Sequence, residues 1–361
     1  MEVTGHSYPV VTLAVLSCLT LATLLLPFIS KIINDNIELF FLVMGITAIT
    51  VSGLWNIEII IEAIKSPVSV AGAPIGIFQV VLVFGILLHY LNRYFFNVIM
   101  HIIGKLDLKL FIFLFILLLG LLSSVFSVVI TAVILAEVLY ILPFARPERL
   151  KMAVVSCFAI GMGAGLTPIG EPLSTIMVHK LAGAPYYAEF FFPLRTIGVY
   201  IIPGIFLIAG FGSIFITRSR PVNPVENTYI PESLKEVIFR AIRIYIFIVA
   251  LVLLGQGLTP LFMTFLAGMQ PMLLYWINIV SAFLDNATLT AIEINPQLNE
   301  PQIISAIIAL LISGGILIPG NIPNIVVAGR LRISMKEWAL TGVPIGMVLL
   351  LLYFIIILIC I

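Results

Sequence analysis

Apolar runs of about 20 residues recur along this chain, each long enough to cross a bilayer core about 30 Å thick. No other feature limits the fold as tightly. Of the 361 residues, 61% are hydrophobic and 10% charged, against about 25% charged in a soluble domain. That balance excludes a soluble globular enzyme, a disordered chain, a collagen-like fibre and a disulfide scaffold. The chain reads as an all-α polytopic membrane protein, and its first partner is the lipid bilayer.

The remaining bulk properties exclude more than they suggest. The net charge is +1, from 18 basic and 17 acidic residues, so no polybasic surface for nucleic acid is implied. Cys18, Cys157 and Cys360 all lie in apolar runs, without a C-x-x-C pair or a Cys/His cluster; neither a disulfide framework nor a zinc site follows. The first apolar stretch, Val10 to Ile29, has no Lys or Arg before it and no small-residue cleavage site. It reads as a retained span rather than a signal peptide.

Charge clusters between the apolar stretches set a topology. Spans are expected at 9–29, 37–55, 74–92, 150–180, 196–217, 236–256, 302–330 and 338–360. Two further stretches, 109–142 and 258–294, are long, apolar and interrupted by small polar residues. Basic residues gather at Arg93/Lys105/Lys109, at Arg146/Arg149/Lys151, from Arg218 to Arg243, and at Arg330/Arg332/Lys336. The positive-inside rule puts these four regions in the cytoplasm, while the segment around Glu293 and Glu300, without Lys or Arg, suits the outer side. Segment 109–142 then enters and leaves on the cytoplasmic side, and 258–294 on the outer side. Both read as re-entrant helical hairpins with polar tips near mid-membrane, where irregular backbone survives only inside protein or a wet cavity. The alternative is a span plus an interfacial helix in each case.

The two halves resemble each other. Ser124-Val125-Phe126 matches Ser281-Ala282-Phe283, and in each a Thr (Thr131, Thr288) follows the Ser by seven positions. Downstream, Gly165-Leu166-Thr167-Pro168-Ile169-Gly170-Glu171 parallels Gly315-Ile316-Leu317-Ile318-Pro319-Gly320-Asn321, and Ser174 falls opposite Asn324. With hairpins opening to opposite faces, this is an inverted repeat carrying two discontinuous transmembrane helices, an architecture of secondary transporters with the substrate site at the repeat interface. Glycine and proline interrupt the helical ladder at both breaks. Glu171 followed by Pro172 has the form of an N-cap and first position of a restarted helix. Such half-helix ends bind ions of either sign, so the backbone alone leaves the substrate's charge open.

At these residues the chain resembles the ion transporter superfamily, which holds NhaD-type sodium/proton antiporters, arsenite-pump permeases and divalent-anion/sodium symporters. Ser281-Ala282-Phe283-Leu284-Asp285-Asn286-Ala287-Thr288 is similar to the Ser…Asp-Asn…Thr hairpin tip of the NhaD-type branch. Gly165 to Gly170 is similar to the Thr-Pro break of the first unwound helix, and Gly320-Asn321-Ile322-Pro323-Asn324 sits at the equivalent break of the second. The resemblance covers roughly residues 109–345. It implies a cation-transporter branch, with a transport domain of two hairpins and two broken helices moving past a scaffold in a homodimer. Two departures stand out. The first tip has Ser127-Val128 where the second has Asp285-Asn286, and one span precedes the second hairpin against three before the first.

The domain organisation that follows is 1–108 scaffold helices, 109–217 first transport elements, 218–257 a cytoplasmic loop with a scaffold helix, and 258–361 second transport elements.

Asp285 is the foremost site candidate, since a carboxylate at the centre of a membrane segment costs at least about 2.5–3.5 kcal/mol on insertion scales and usually faces a cavity. Its plainer role is to bond the hairpin backbone. Asn286, Ser281 and Thr288 supply neutral oxygens to a sodium ion or simply cap the tip. Glu171 is either a second carboxylate near Asp285, so that proton and cation compete for the pair, or an N-cap alone. Glu137 is either a third proton-coupling group or a snorkelling side chain. Asn321, Asn324, Thr167, Ser174, Ser124 and Ser127 complete the candidate ion-binding set, the last two with the plainer alternative of back-bonding within their helices. Gly161, Gly163 and Gly165 suit close helix packing.

The function expected is therefore a secondary active transporter of the plasma membrane, exchanging sodium or another small cation for protons, with no cofactor. The alternative is a sodium-coupled symporter of a di- or tricarboxylate or other small anion; against it, 152–179 and 257–329 contain no Lys or Arg. An intramembrane enzyme is not expected, because no G-x-S-x-G or H-E-x-x-H constellation is present.

Overall fold

The computed structural model describes residues 8–69, 76–142, 144–217, 233–266, 271–284 and 286–360. Among these residues all regular structure is helical. The first group of helices is α1 (Val10–Ile29), α2 (Lys31–Asp35), α3 (Ile37–Ser52), α4 (Ile57–Lys65) and α5 (Ile77–Lys105). Next come α6 (Leu108–Phe126), α7 (Val128–Ile141), α8 (Arg146–Ala164), α9 (Pro172–Lys180) and α10 (Phe192–Thr217). The last group is α11 (Leu234–Leu266), α12 (Pro271–Ile277), α13 (Asn286–Glu293), α14 (Glu300–Gly314), α15 (Ile322–Leu331) and α16 (Met335–Cys360), with 3-10 turns at Asn278–Ala282 and Ile318–Gly320.

Five of these helices, α1, α6, α10, α11 and α16, are long and apolar enough to cross a membrane. Their outward faces carry bare aliphatic side chains, among them Leu207 on α10 and Leu340, Val348 and Ile359 on α16, the last three each at least 65% exposed. A soluble monomer does not leave such continuous apolar surface in water. Lipid is the solvent this surface fits.

The centre belongs to α8 and α14. Every residue of Met152–Ala164 and of Ile303–Gly314 is buried, as expected of helices that are apolar on all sides. Each helix ends at a Gly-rich break and resumes after a short irregular segment, α8 as α9 and α14 as α15. The breaks expected within 150–180 and 302–330 thus occupy 165–171 and 315–321.

Local sequence accounts for most boundaries. Asn299 and Gln302 form a reciprocal capping box at the start of α14, with Pro301 in its first turn. Asp107 accepts from the Lys109 amide to cap α6, and Asn56 caps α4 through the Ile59 amide. Gly53, at φ 70°, supplies the left-handed residue that closes α3.

One boundary differs from expectation. The chain does not end a helix near 257 and begin a hairpin at 258, because α11 runs unbroken from Leu234 to Leu266. Gly257 marks a contact there, since a Cβ on it would lie 2.5 Å from the Ile49 amide of α3. Small residues let two membrane helices approach closely without ending either. Pro260 removes one ladder bond without ending the helix. The stretch expected as the second hairpin therefore keeps, after α11, only α12, the 3-10 turn and α13.

Packing divides the helices into two groups. One gathers α1, α3, α4 and α5 around α11; the other surrounds α8 and α14 with α6, α7, α9, α10, α13, α15 and α16. The groups meet where α5 touches α7, where α11 touches α13 and α15, and where α1 touches α16.

Candidate functional site

The two breaks share a backbone design. Gly165 N–H bonds Met162 O, Leu166 N–H bonds Gly163 O and Gly170 N–H bonds Thr167 O. The same three bonds recur 150 positions later, from Gly315 to Ile312, Ile316 to Ser313 and Gly320 to Leu317. Glu171 and Asn321, the residues before α9 and α15, hold almost identical extended dihedrals (φ −151°, ψ 146° and φ −151°, ψ 151°).

Carbonyls freed by the breaks are taken up by side chains of the resumed helices. The Ser174 hydroxyl donates to Gly165 O at 2.6 Å. Asn324 does more, donating to Gly314 O at 2.8 Å and to Leu317 O at 2.7 Å. Thr175 donates to Pro168 O. Ser174 and Asn324 are fully buried, where an unmade bond is costly.

Each tip packs on the break that follows it in sequence. The Val128 amide donates to Gly170 O at 2.9 Å, and the Thr167 hydroxyl donates to Ser124 O at 2.5 Å. At the second tip a Cβ on Gly320 would lie 2.6 Å from Ser281 O. The Ser281 hydroxyl donates to Asn286 Oδ1 and lies 3.4 Å from Leu310 O.

The tip and the break of opposite halves also meet. The Asn286 amide donates to Glu171 Oε1 at 3.4 Å, with Asn286 2% and Glu171 5% exposed. Glu171 occupies the N-cap position, yet its side chain makes no capping bond to α9. It reaches Asn286 of α13 instead. Asn321 does cap, accepting from the Ile322 amide at 2.8 Å, and its Nδ2 lies against Gly161 of α8, where a Cβ would stand 2.6 Å away. Ser281, Asn286, Glu171, Asn321 and Asn324 thus converge between α8 and α14.

Other candidates lie elsewhere. Ser124 bonds back to Leu121 O within its own helix. Ser123 instead takes the place matching Ser281, donating to Ile160 O at 2.9 Å, the carbonyl 150 positions before Leu310. The pairing Ser124/Ser281 was one residue out of register, and only the contact to α8 distinguishes the two serines. Ser127 is the sole non-helical residue between α6 and α7, at φ 75° and ψ 151°, without a capping bond. Thr288 turns towards Gly255 of α11. Asp285 lies outside the described residues.

Glu137 has a different setting from the one expected. It is 3% exposed and grips Arg330 of α15 with both oxygens, at 2.8 Å to Nε and 2.9 Å to Nη2. Arg240 of α11 adds a third contact at 3.4 Å, and the Arg330 guanidinium stacks over Tyr140, 3.6 Å from the ring centre. Glu137 thus sits in a buried ion pair with two guanidinium groups. The position of Arg330, one residue beyond the Lys- and Arg-free stretch 257–329, gave no hint that it would turn to this glutamate.

The converging groups offer amide, hydroxyl, carbonyl and carboxylate oxygens. No Lys or Arg takes part in the bonds that join them. Among the described residues no three His, Cys, Asp or Glu side chains cluster as for a transition metal. Hard cations prefer oxygen donors of this kind.

Fold and site define an all-helical polytopic membrane protein with two interrupted helices at its core. The chain belongs to the family described as protein of unknown function DUF1646, whose model matches residues 13–360. A search of curated proteins finds no match.

Proposed function

We propose that this protein is a secondary active transporter of the plasma membrane that exchanges sodium, or another small cation, for protons by alternating access. The observation that carries this reading is the buried contact of Glu171, at one helix break, with Asn286, at the opposite hairpin tip. A carboxylate held against a neutral amide, among freed carbonyls, suits a cation and a proton as alternating occupants. Asp285, next to Asn286 in the chain, supplies the second carboxylate of the reading.

The matched break bonds support an inverted repeat, with 109–142 and the α12–α13 segment as re-entrant hairpins from opposite faces. In this scheme the α8/α14 group carries the ion, and the helices around α11 form the scaffold, as a homodimer. Irregular backbone at the breaks then lines a protein-enclosed site, the setting in which it is tolerated within a membrane.

The test is proton flux in proteoliposomes under a pH gradient, with Na⁺, Li⁺, K⁺ and Ca²⁺ pulsed in turn. Cation-dependent dissipation of the gradient, abolished in Asp285→Asn and shifted to higher cation concentration in Glu171→Gln, is the expected result. Silence towards every cation, with sodium-dependent uptake of a labelled carboxylate, would replace the antiporter by an anion symporter.

A further inference from the structure

Each hairpin carries one buried glutamate on its second arm, Glu137 on α7 and Glu293 on α13, and their surroundings are opposite. Glu137 has two arginines. Glu293, 6% exposed, has the amide of Asn278, which is 1% exposed.

The bonding at Glu293 is incomplete in a specific way. Asn278 Nδ2 donates to Glu293 Oε2 at 2.9 Å and lies 3.4 Å from Ala306 O, which uses both of its hydrogens. Among the described residues, Glu293 Oε1 and Asn278 Oδ1 are then buried acceptors without a donor. Two orphaned oxygens call for a hydrogen or a cation.

The neighbouring charges do not supply one. Helix α13 packs against α9, α11 and α14. On α9 the titratable groups are His179 and Lys180, exposed at its far end, with Glu171 before it turned to Asn286. On α14 there is Glu300, exposed, and along 246–266 of α11 there is no titratable residue. On α12, which leads into the turn bearing Asn278, Tyr275 donates to Leu350 O. An ionised carboxylate in this position would be buried without a counter-charge, which is strongly disfavoured. A sodium ion would want a shell of about six oxygens, whereas the orphaned acceptors number two. A proton on the carboxyl removes the charge and supplies the missing donor.

We infer that Glu293, with Asn278, is a proton-binding site, loaded in this conformation and exchanging its proton with the side on which the exposed Pro296 and Gln297 lie. Read with the antiporter proposal, on which this second step rests, it carries the coupling proton, separate from the ion groups around Asn286.

Infrared difference spectra of the full-length protein in lipid, titrated with pH, test the binding site without reference to transport. The expected result is a protonated-carboxyl stretch in the native protein at neutral pH that is missing in Glu293→Gln and present in Glu293→Asp. An unchanged carboxyl spectrum in Glu293→Gln, or a band that answers to sodium and not to pH, would overturn it. The glutamine mimics the neutral acid, so a purely packing role leaves its proton flux intact. Sodium-driven proton flux falling to the level of protein-free liposomes in Glu293→Gln supports coupling, and undiminished flux overturns it. Absence of any cation response in the native protein would defeat the antiporter reading while leaving the spectroscopic result to decide the proton site.

Discussion

Glu137 and Arg330 lie 193 positions apart in the chain and meet in a bidentate ion pair, both almost completely buried. The pair ties α7 to α15, the resumed helix of the second break. Arg240 extends it to α11. Three elements that share no local sequence are thereby held by one carboxylate.

Removing that carboxylate leaves two guanidinium groups buried against a neutral amide. Glu137→Gln is expected to destabilise the fold by about 3–5 kcal/mol, as when one partner of a buried pair is lost. Thermal unfolding in detergent measures this, and a melting temperature equal to that of the native protein would show that water reaches the cluster and solvates the arginines.

Glu171 belongs to a different class. Its neighbour is an amide at 3.4 Å, so Glu171→Gln preserves shape and removes only charge. Folding should be retained while the apparent affinity for the driving cation weakens about tenfold or more, on the scale of about 1.5–3 kcal/mol for a bond to a charged group. Flux measured against cation concentration separates this from a loss of folded protein, which lowers the maximum rate alone.

Ser127 holds a backbone conformation that belongs chiefly to glycine, and such strain costs about 1–3 kcal/mol. Ser127→Gly should raise stability by about 1 kcal/mol, after allowing for the extra freedom glycine brings to the unfolded chain. A fall in stability would mean that the Ser127 hydroxyl holds the tip.

Asn324 and Ser174 are equally buried but unequally employed. The amide serves two freed carbonyls, the hydroxyl one. With an unsatisfied buried group costing about 1–3 kcal/mol, Asn324→Ala should destabilise by about 2–4 kcal/mol and Ser174→Ala by about half as much. Chemical or thermal denaturation of both variants in one detergent ranks them, and equal losses would contradict this account of the breaks.

Much of this was legible in the linear chain because its causes are local. Apolar run length set the helical membrane class, and Gly165, Pro168 and Gly170, with Gly315, Pro319 and Gly320, marked the breaks. Those residues act on their own backbone ladder within a turn or two, whatever surrounds them. The caps at Asn56, Asp107 and Asn299 are of the same kind.

Only tertiary structure decided which side chains face one another. Ser123 rather than Ser124 reaches α8, because one residue on a helix turns the side chain by about 100°. Glu137 became part of a buried ion pair through Arg330 and Arg240, which come from two other helices. Asn278 and Glu293 became partners when the 3-10 turn and α13 both packed against α14. Gly257 and Pro260, at the boundary expected between 236–256 and 258–294, sit inside α11, where contact with α3 outweighs local propensity. The physical reason is common to all four: burial and pairing depend on helices brought together from distant parts of the chain, and a residue's own neighbours in sequence carry no record of them.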